Sequence, residues 1–514
     1  MKHSIWIAGA LLLMLTGCRQ ESDYVLSYAF NDEMAFNKAD SSFVGKFDVF
    51  WHGMNTNYAM WDYEKANGLD WDAVYDTFRP QFAALDAVDT MVSDKQLQAL
   101  LNEVVAPLHD GHLIITMKNH VTGNNVSVSP GELRIKAERQ DEYRDVSDFK
   151  SSLQYYVTSG EVLEYKQASS NTLITAVGTA VGYLRTQINT LDAKTSRTPE
   201  EEQLLALYKK VYNDLADAVN NKFTTMASAV SAFNEVALRY EYLHIPGLAT
   251  VDKALNENGI DVKYALFKGN IAYLSFDSFK LSAYLDPEVK KTSFGTPSES
   301  TQAVINEVVD TWKAWFNTIQ AHHKSGDLCG VIIDIRSNGG GNVPDYPFVM
   351  GALLPSGGFH VTDARYKRGP GRYDYSPVMP QYMETYKGDH VTVTEPIVVL
   401  CNCASVSMAE QTSLSAKRLE NGKLIGTRTW GGMCALAGSS TYSDDYSGFV
   451  GVQGVTPVYC YIPRQLVISV EGEVLDGKGI TPDIEVQFDR ARWNGGAGPD
   501  SQLDRALQYL HNGN

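Results

Sequence analysis

Gly330-Val331-Ile332-Ile333-Asp334-Ile335-Arg336-Ser337-Asn338-Gly339-Gly340-Gly341-Asn342 joins an unbroken apolar run to a loop with three consecutive glycines. The run lacks the alternation of a strand with one wet face, so it reads as a strand covered on both sides. A second run of this kind, Pro396-Ile397-Val398-Val399-Leu400, leads into Ser405-Val406-Ser407-Met408-Ala409-Glu410, and a helical pattern continues from Gln411 to Leu419. Buried strands that each give way to small residues and then a helix predict an α/β domain, with its chemistry at the strand ends.

Around this centre the texture stays α/β. Tyr264-Ala265-Leu266-Phe267 and Ile271-Ala272-Tyr273-Leu274-Ser275-Phe276 read as strands about the Lys268-Gly269-Asn270 turn, and a long helix is predicted from Ser300 to His322. The chemical domain is placed at 261–490, with a tail or helix over 491–514. Upstream, 113–260 forms a middle region. Its first part, 113–165, reads as short strands and turns, with Leu113-Ile114-Ile115-Thr116-Met117 the clearest strand.

A helical insert follows. Helices are predicted over 173–191, from Thr198-Pro199-Glu200-Glu201-Glu202 onward, and over 223–242; the threonine cap, the proline and the three acids all favour a helix start. The insert reads either as packing on the main body or as a lid or docking arm. From 41 to 112, aromatic and apolar residues recur at three- and four-residue steps, which predicts an N-terminal helical domain whose aromatics fill their own core.

The first 17 residues have the charged, apolar and small-residue zones of an export signal, and the apolar run is too short to span a bilayer. Leu15-Thr16-Gly17-Cys18 resembles the lipobox of bacterial lipoproteins. That resemblance implies cleavage before Cys18, lipidation of its thiol and attachment to a membrane through the N-terminal lipid. Residues 18–40 then form a polar tether. Arg19, rather than an aspartate, follows Cys18, so the outer membrane is the expected address in a cell with two membranes.

The 514-residue chain carries a net charge of −17, which argues against nucleic acid or an anionic lipid surface as a general partner. Five further cysteines, Cys329, Cys401, Cys403, Cys434 and Cys460, cannot all pair within one chain, although an oxidising compartment would permit one or two disulfides. Cys401-x-Cys403 is not a zinc-knuckle spacing, and His109 and His112 lack an evident third ligand. No metal and no cofactor is expected.

Two segments carry candidate chemistry. Successive glycines after Asn338 let backbone N–H groups approach an anion, and the loop is no P-loop because no Gly-Lys-Ser/Thr follows. Ser407 stands at a strand-to-helix junction, where free N–H groups favour developing negative charge. Plain N-capping explains most serines in such places.

Together with Leu108-His109-Asp110-Gly111-His112, Leu424-Ile425-Gly426-Thr427-Arg428-Thr429-Trp430-Gly431-Gly432 and Gly479-Ile480-Thr481-Pro482-Asp483-Ile484, these segments resemble the C-terminal processing (tail-specific) peptidases and the tricorn core. The resemblance covers 108–486. It implies a ClpP/crotonase-like serine peptidase domain acting on polypeptides. One branch of that family uses a lysine in Thr-x-Gly-Lys-Gly, but glycine stands there in Thr429-Trp430-Gly431-Gly432-Met433. The tricorn-like branch therefore supplies the roles. Ser407 is the implied nucleophile, His112 the base, and Asp476 the acid, where the family usually has glutamate. The implied oxyanion donors are the N–H groups of Gly340, with Gly339, and of Met408. Ser405 and Glu410 are expected to act as supports.

No peptide-binding PDZ signature stands between 113 and 260, and nothing indicates the oligomeric state. A non-catalytic ligand- or peptide-binding lipoprotein on the same scaffold, and an esterase with the same residues, remain as alternatives.

Overall fold

A computed structural model describes residues 41–512 apart from 89–90, 148, 171, 220–225, 370, 389, 436–448 and 451–456. The signal segment, Cys18 and the tether lie outside the described residues. The chain divides into two compact units. One comprises 1–144, 360–382 and 429–480, and the other 145–359, 383–428 and 481–514. This division cuts across the contiguous block 261–490.

The described part of the first unit opens with the helices Phe43–Asn57, Trp61–Ala66, Trp71–Ala87 and Asp94–Val105. Ser42 caps the first by accepting from the Gly45 N–H, and Asp70 caps the third by accepting from the Asp72 and Ala73 N–H groups. Phe43, Phe47, Phe50 and Met54 recur on one face and are fully buried, with Trp61, Trp71 and Phe82. These aromatics fill a core, as their spacing predicts. The core also takes Ile115 and Met117 from Ile114–Lys118, the strand that pairs antiparallel with Val458–Tyr461 and Asn125–Val128.

The predicted run of strands and turns from 113 to 165 holds only in part. Strands occupy Ile114–Lys118 and Asn125–Val128, but Pro130–Glu138, Gln140–Ser147 and Leu153–Thr158 are helices. The first opens with proline at its start, and only Pro130, Gly131 and Ile135 of it are buried. Such a short, weakly amphipathic helix leaves little periodic signal to read.

The second unit is built on a seven-stranded sheet. In spatial order its strands are Ile484–Glu485, Gly422–Gly426, Ile397–Cys401, Gly330–Asp334, Ile271–Phe276, Asp261–Phe267 and Val162–Ser169. The five from Ile484–Glu485 to Ile271–Phe276 run parallel, and the remaining two pairings are antiparallel. Gly330–Asp334 and Ile397–Cys401 are buried at every position, as an apolar run without alternation requires. Register aligns Val331 with Ile397 and Asp334 with Leu400, so the loops after the two strands leave the same end of the sheet side by side.

Between Val162–Ser169 and its antiparallel partner Asp261–Phe267 lies the insert. Its helices are Thr172–Asp192, Pro199–Val219 and Met226–Arg239. They share a core that includes Leu184, Val211, Leu215 and Phe233 and draws only on residues 173–251. The root is tied by Ser170, whose N–H donates to the Ile260 carbonyl at 2.9 Å while its Oγ accepts from the Ile260 N–H at 2.9 Å.

Arg336 anchors the loop after Gly330–Asp334. Its side chain is 1% exposed. Nε and Nη2 donate to the two oxygens of Asp334 at 2.9 and 2.6 Å, and Nη1 donates to Asp500 at 2.9 Å and to Gln502 at 3.1 Å. Asp500 Oδ1 also accepts from the Gln502 and Leu503 N–H groups, capping the final helix Ser501–Asn512. The Tyr273 hydroxyl donates to Asp334 at 2.7 Å, and the Phe149 ring lies 4.9 Å from the guanidinium. Removing one partner of a buried pair strands the other charge. Arg336→Met is therefore expected to lower the unfolding free energy by about 3–5 kcal/mol in denaturant titration; a loss below about 1 kcal/mol would contradict a buried role for this cation.

Candidate active site

Within the second unit, the serine turn follows Ile397–Cys401 and opens the helix Met408–Arg418. Ser407 has φ 59° and ψ −116°. A side chain in that region costs about 1–3 kcal/mol and persists only where its surroundings over-determine it. Here the surroundings are dense. The Ser407 N–H donates to buried Glu410 Oε2 at 3.2 Å, and the Gln411 N–H donates to the Ser407 carbonyl at 3.0 Å. Glu410 thus fills the supporting place expected of it, at the third position of the helix.

The glycine loop packs directly against this turn. Gly340 has φ +88°, and a Cβ there would come within 2.6 Å of Ser407 Cβ and 2.7 Å of the Val406 carbonyl oxygen. Only glycine permits that approach. Two asparagines and Ser405 join the loops. The Val406 N–H donates to the Asn338 carbonyl at 3.0 Å, the Ser405 hydroxyl donates to the Ile335 carbonyl at 2.8 Å, and Asn402 Oδ1 accepts from the Ser337 N–H at 2.9 Å. Asn338 and Asn402 were not singled out in the sequence. The Asn338-Gly339-Gly340 context and the Cys401-Asn402 strand end were the available signals.

The expected oxyanion donors differ in their availability. Gly340 donates its N–H to Asn338 Oδ1 at 2.9 Å. Among the described residues the N–H groups of Gly339 and Met408 make no hydrogen bond. Gly339 is exposed, and a Cβ built on it meets nothing within 4 Å.

In the first unit, three segments converge on His112. Gly111 is pressed against Gly431 and Gly432, leaving no room for a Cβ. Trp430 Nε1 donates to the Gly111 carbonyl at 3.0 Å, and the Gly477 N–H donates to the Gly431 carbonyl at 2.9 Å. Thr429 and Ile480 exchange two bonds, the Thr429 N–H donating to the Ile480 carbonyl and the Ile480 N–H to Thr429 Oγ1. Segments 108–112, 429–432 and 477–480 are thus tied together beside His112.

His112 is half-buried, and burial lowers its imidazole to about 4, against a smaller opposing pull from the backbone of Cys434. Its own N–H and that of Leu113 donate to Asp110 Oδ1 at 2.6 and 2.8 Å, which fixes the turn carrying the ring. Burial raises the Asp110 carboxyl despite those two donors. His109 points elsewhere: its Nδ1 lies 2.7 Å from fully buried Glu64, which also accepts from the Tyr58 hydroxyl.

Asp476 is fully buried, and its Oδ2 accepts from the Cys434 N–H at 2.7 Å. Among the described residues no hydrogen bond joins Asp476 to His112; the Asp476 carboxylate is engaged by the Cys434 N–H, and His112 Nδ1 has no hydrogen-bond partner among them. Burial, with Asp476 and Asp110 nearby, pushes the Cys434 thiol well above its ordinary value, so it is held as an inert thiol. Cys329, Cys401, Cys403, Cys434 and Cys460 form no disulfide.

Comparison with known proteins bears on the region that holds the glycine loop, Ser407 and Asp476. Residues 270–486 match peptidase family S41. Over 181 residues the chain is 27% identical to the tricorn proteases of Thermoplasma volcanium and Thermoplasma acidophilum, a stretch covering 35% of this chain and 14% of each relative. The chain thus spans about a seventh of the length of those curated relatives. Among solved structures, a protein from Parabacteroides merdae aligns over 90% of this chain and 95% of its own at 16% identity and a TM-score of 0.48. A photosystem II D1 C-terminal processing protease aligns over 42% of each chain at 17% identity and a TM-score of 0.25. Residues 270–486 thus resemble peptidase family S41, and a 181-residue stretch of the chain resembles the tricorn proteases.

Proposed function

We propose that this protein hydrolyses peptide bonds in proteins or peptides with Ser407 as nucleophile, His112 as general base and Asp476 as the acid that supports it. The observation that carries the reading is the backbone of Ser407: a non-glycine residue with φ 59° at a helix N-terminus, pressed against Gly340. Strain of this kind turns a serine hydroxyl outward at a strand-to-helix turn in acyl-transfer enzymes.

In this mechanism Ser407 Oγ attacks the carbonyl carbon while His112 takes its proton. The new oxyanion is received by backbone N–H groups. Collapse of the tetrahedral intermediate expels the amine, which leaves with the proton returned by His112, and water repeats the sequence on the acyl-enzyme. A lowered imidazole pKa keeps the base neutral over the physiological range. Asp476 accepts from the Cys434 N–H and so holds the segment beside which it would support the base. Export, lipidation at Cys18 and outer-membrane placement complete the proposal and rest on the sequence of the first 19 residues.

Fluorophosphonate labelling tests the nucleophile. The wild type should take up the probe and Ser407→Ala should not; equal labelling of both would remove Ser407 from the mechanism. Because burial lowers His112 from 6.5 to about 4, its neutral form persists as pH falls. The acid limb of the kcat/KM profile is therefore expected well below 6.5, toward about 4, and a limb at or above 6.5 would contradict that environment for the base. Gly340→Ala would drive a methyl into Ser407, so peptide turnover should fall by about 100-fold or more, a displaced oxyanion site alone typically costing that much.

A further inference from the structure

Asn338 is fully buried, and every polar group of its side chain is used. Nδ2 donates to the Phe276 carbonyl at 2.8 Å, at the end of a neighbouring strand, and Oδ1 accepts from the Gly340 N–H at 2.9 Å. Its main chain is used as well. The Asn338 N–H donates to the Ile335 carbonyl at 3.2 Å, and its carbonyl accepts from the Val406 N–H at 3.0 Å, one residue before the serine. One residue thereby ties the strand Ile271–Phe276, the glycine loop and the serine turn.

Its carboxamide also decides which glycine can serve a substrate. An N–H already donating to a buried amide oxygen is not available to an oxyanion without breaking that bond. Gly341 is packed on the Phe279 backbone. Gly339 remains exposed with space around it, and Met408 opens the helix with its N–H uncommitted among the described residues. We propose that Asn338 is a positioning residue that occupies the Gly340 N–H and thereby assigns the oxyanion to the N–H groups of Gly339 and Met408. Gly340 then serves by its missing side chain and not by its N–H. This inference rests on Ser407 being the nucleophile.

The test uses the full-length protein and measures the rate of fluorophosphonate uptake, peptide kcat and KM, and Tm. Phosphonylation builds a tetrahedral adduct on the serine, so its rate reads the oxyanion site whatever the natural substrate is. Asn338→Ala and Gly339→Pro should each slow phosphonylation and kcat by about 100-fold with KM close to wild type; Tm should hold in Gly339→Pro and fall in Asn338→Ala, which strands the Phe276 carbonyl and the Gly340 N–H. Gly339→Ala keeps the N–H and should stay at least ten times faster than Gly339→Pro. Asn338→Asp, which preserves the acceptor for Gly340, should be faster than Asn338→Ala. Wild-type or higher rates in Asn338→Ala, or equal rates in Gly339→Pro and Gly339→Ala, overturn the assignment. Should Asn338→Ala fail to fold, the Gly339 pair decides alone. Full labelling of Ser407→Ala instead sinks the nucleophile itself, a result separable from either.

Discussion

A guanidinium almost wholly shielded from water, that of Arg336, is the constraint on which the second unit depends. Charge in such a place is tolerable only when every donor is satisfied. Asp334, Asp500 and Gln502 accept four hydrogen bonds from it, from three directions, and the Phe149 ring covers one face. The arrangement fixes where Gly330–Asp334 ends and where the following loop begins. It also binds the last helix of the chain to that loop through Asp500, which caps the helix and neutralises the cation at once.

The candidate residues are held differently in the two units. Around Ser407, backbone geometry does most of the work: a strained φ, a glycine with no room for a Cβ, and asparagine side chains spent on main-chain groups. Around His112 the environment dominates: burial lowers the imidazole pKa, and Asp110 fixes the turn that carries the ring. Stored strain and desolvation both cost stability and are retained where function repays them.

Much of this was legible in the sequence because its causes are local. Ile332-Ile333 and Val398-Val399 announce strands buried on both faces, Thr198-Pro199-Glu200 announces a helix start, and both features stand where expected. Ser407, His112 and Asp476 were singled out as members of ordered motifs. What was hidden depends on partners far apart in the chain. That Asn338 would take the Gly340 N–H, and that Asp476 would meet Cys434 at a separation of 42 residues, is decided by packing, which one polar letter does not encode. The helices between 130 and 158 were missed for another reason, since they are short and few of their side chains are buried.

The three-helix insert leaves and re-enters the sheet through adjacent positions, Ser170 and Ile260, on two strands that pair antiparallel. Topologically it is an overgrown hairpin loop. Each doubling of such a loop adds only about 0.6 kcal/mol of closure entropy, and this one recovers ordering free energy through its own core. The module could be lengthened, exchanged or trimmed to a short turn without rerouting any other strand. Evolution can thus remodel this appendage while the strand ends that bear Ser407 and the glycines stay unaltered.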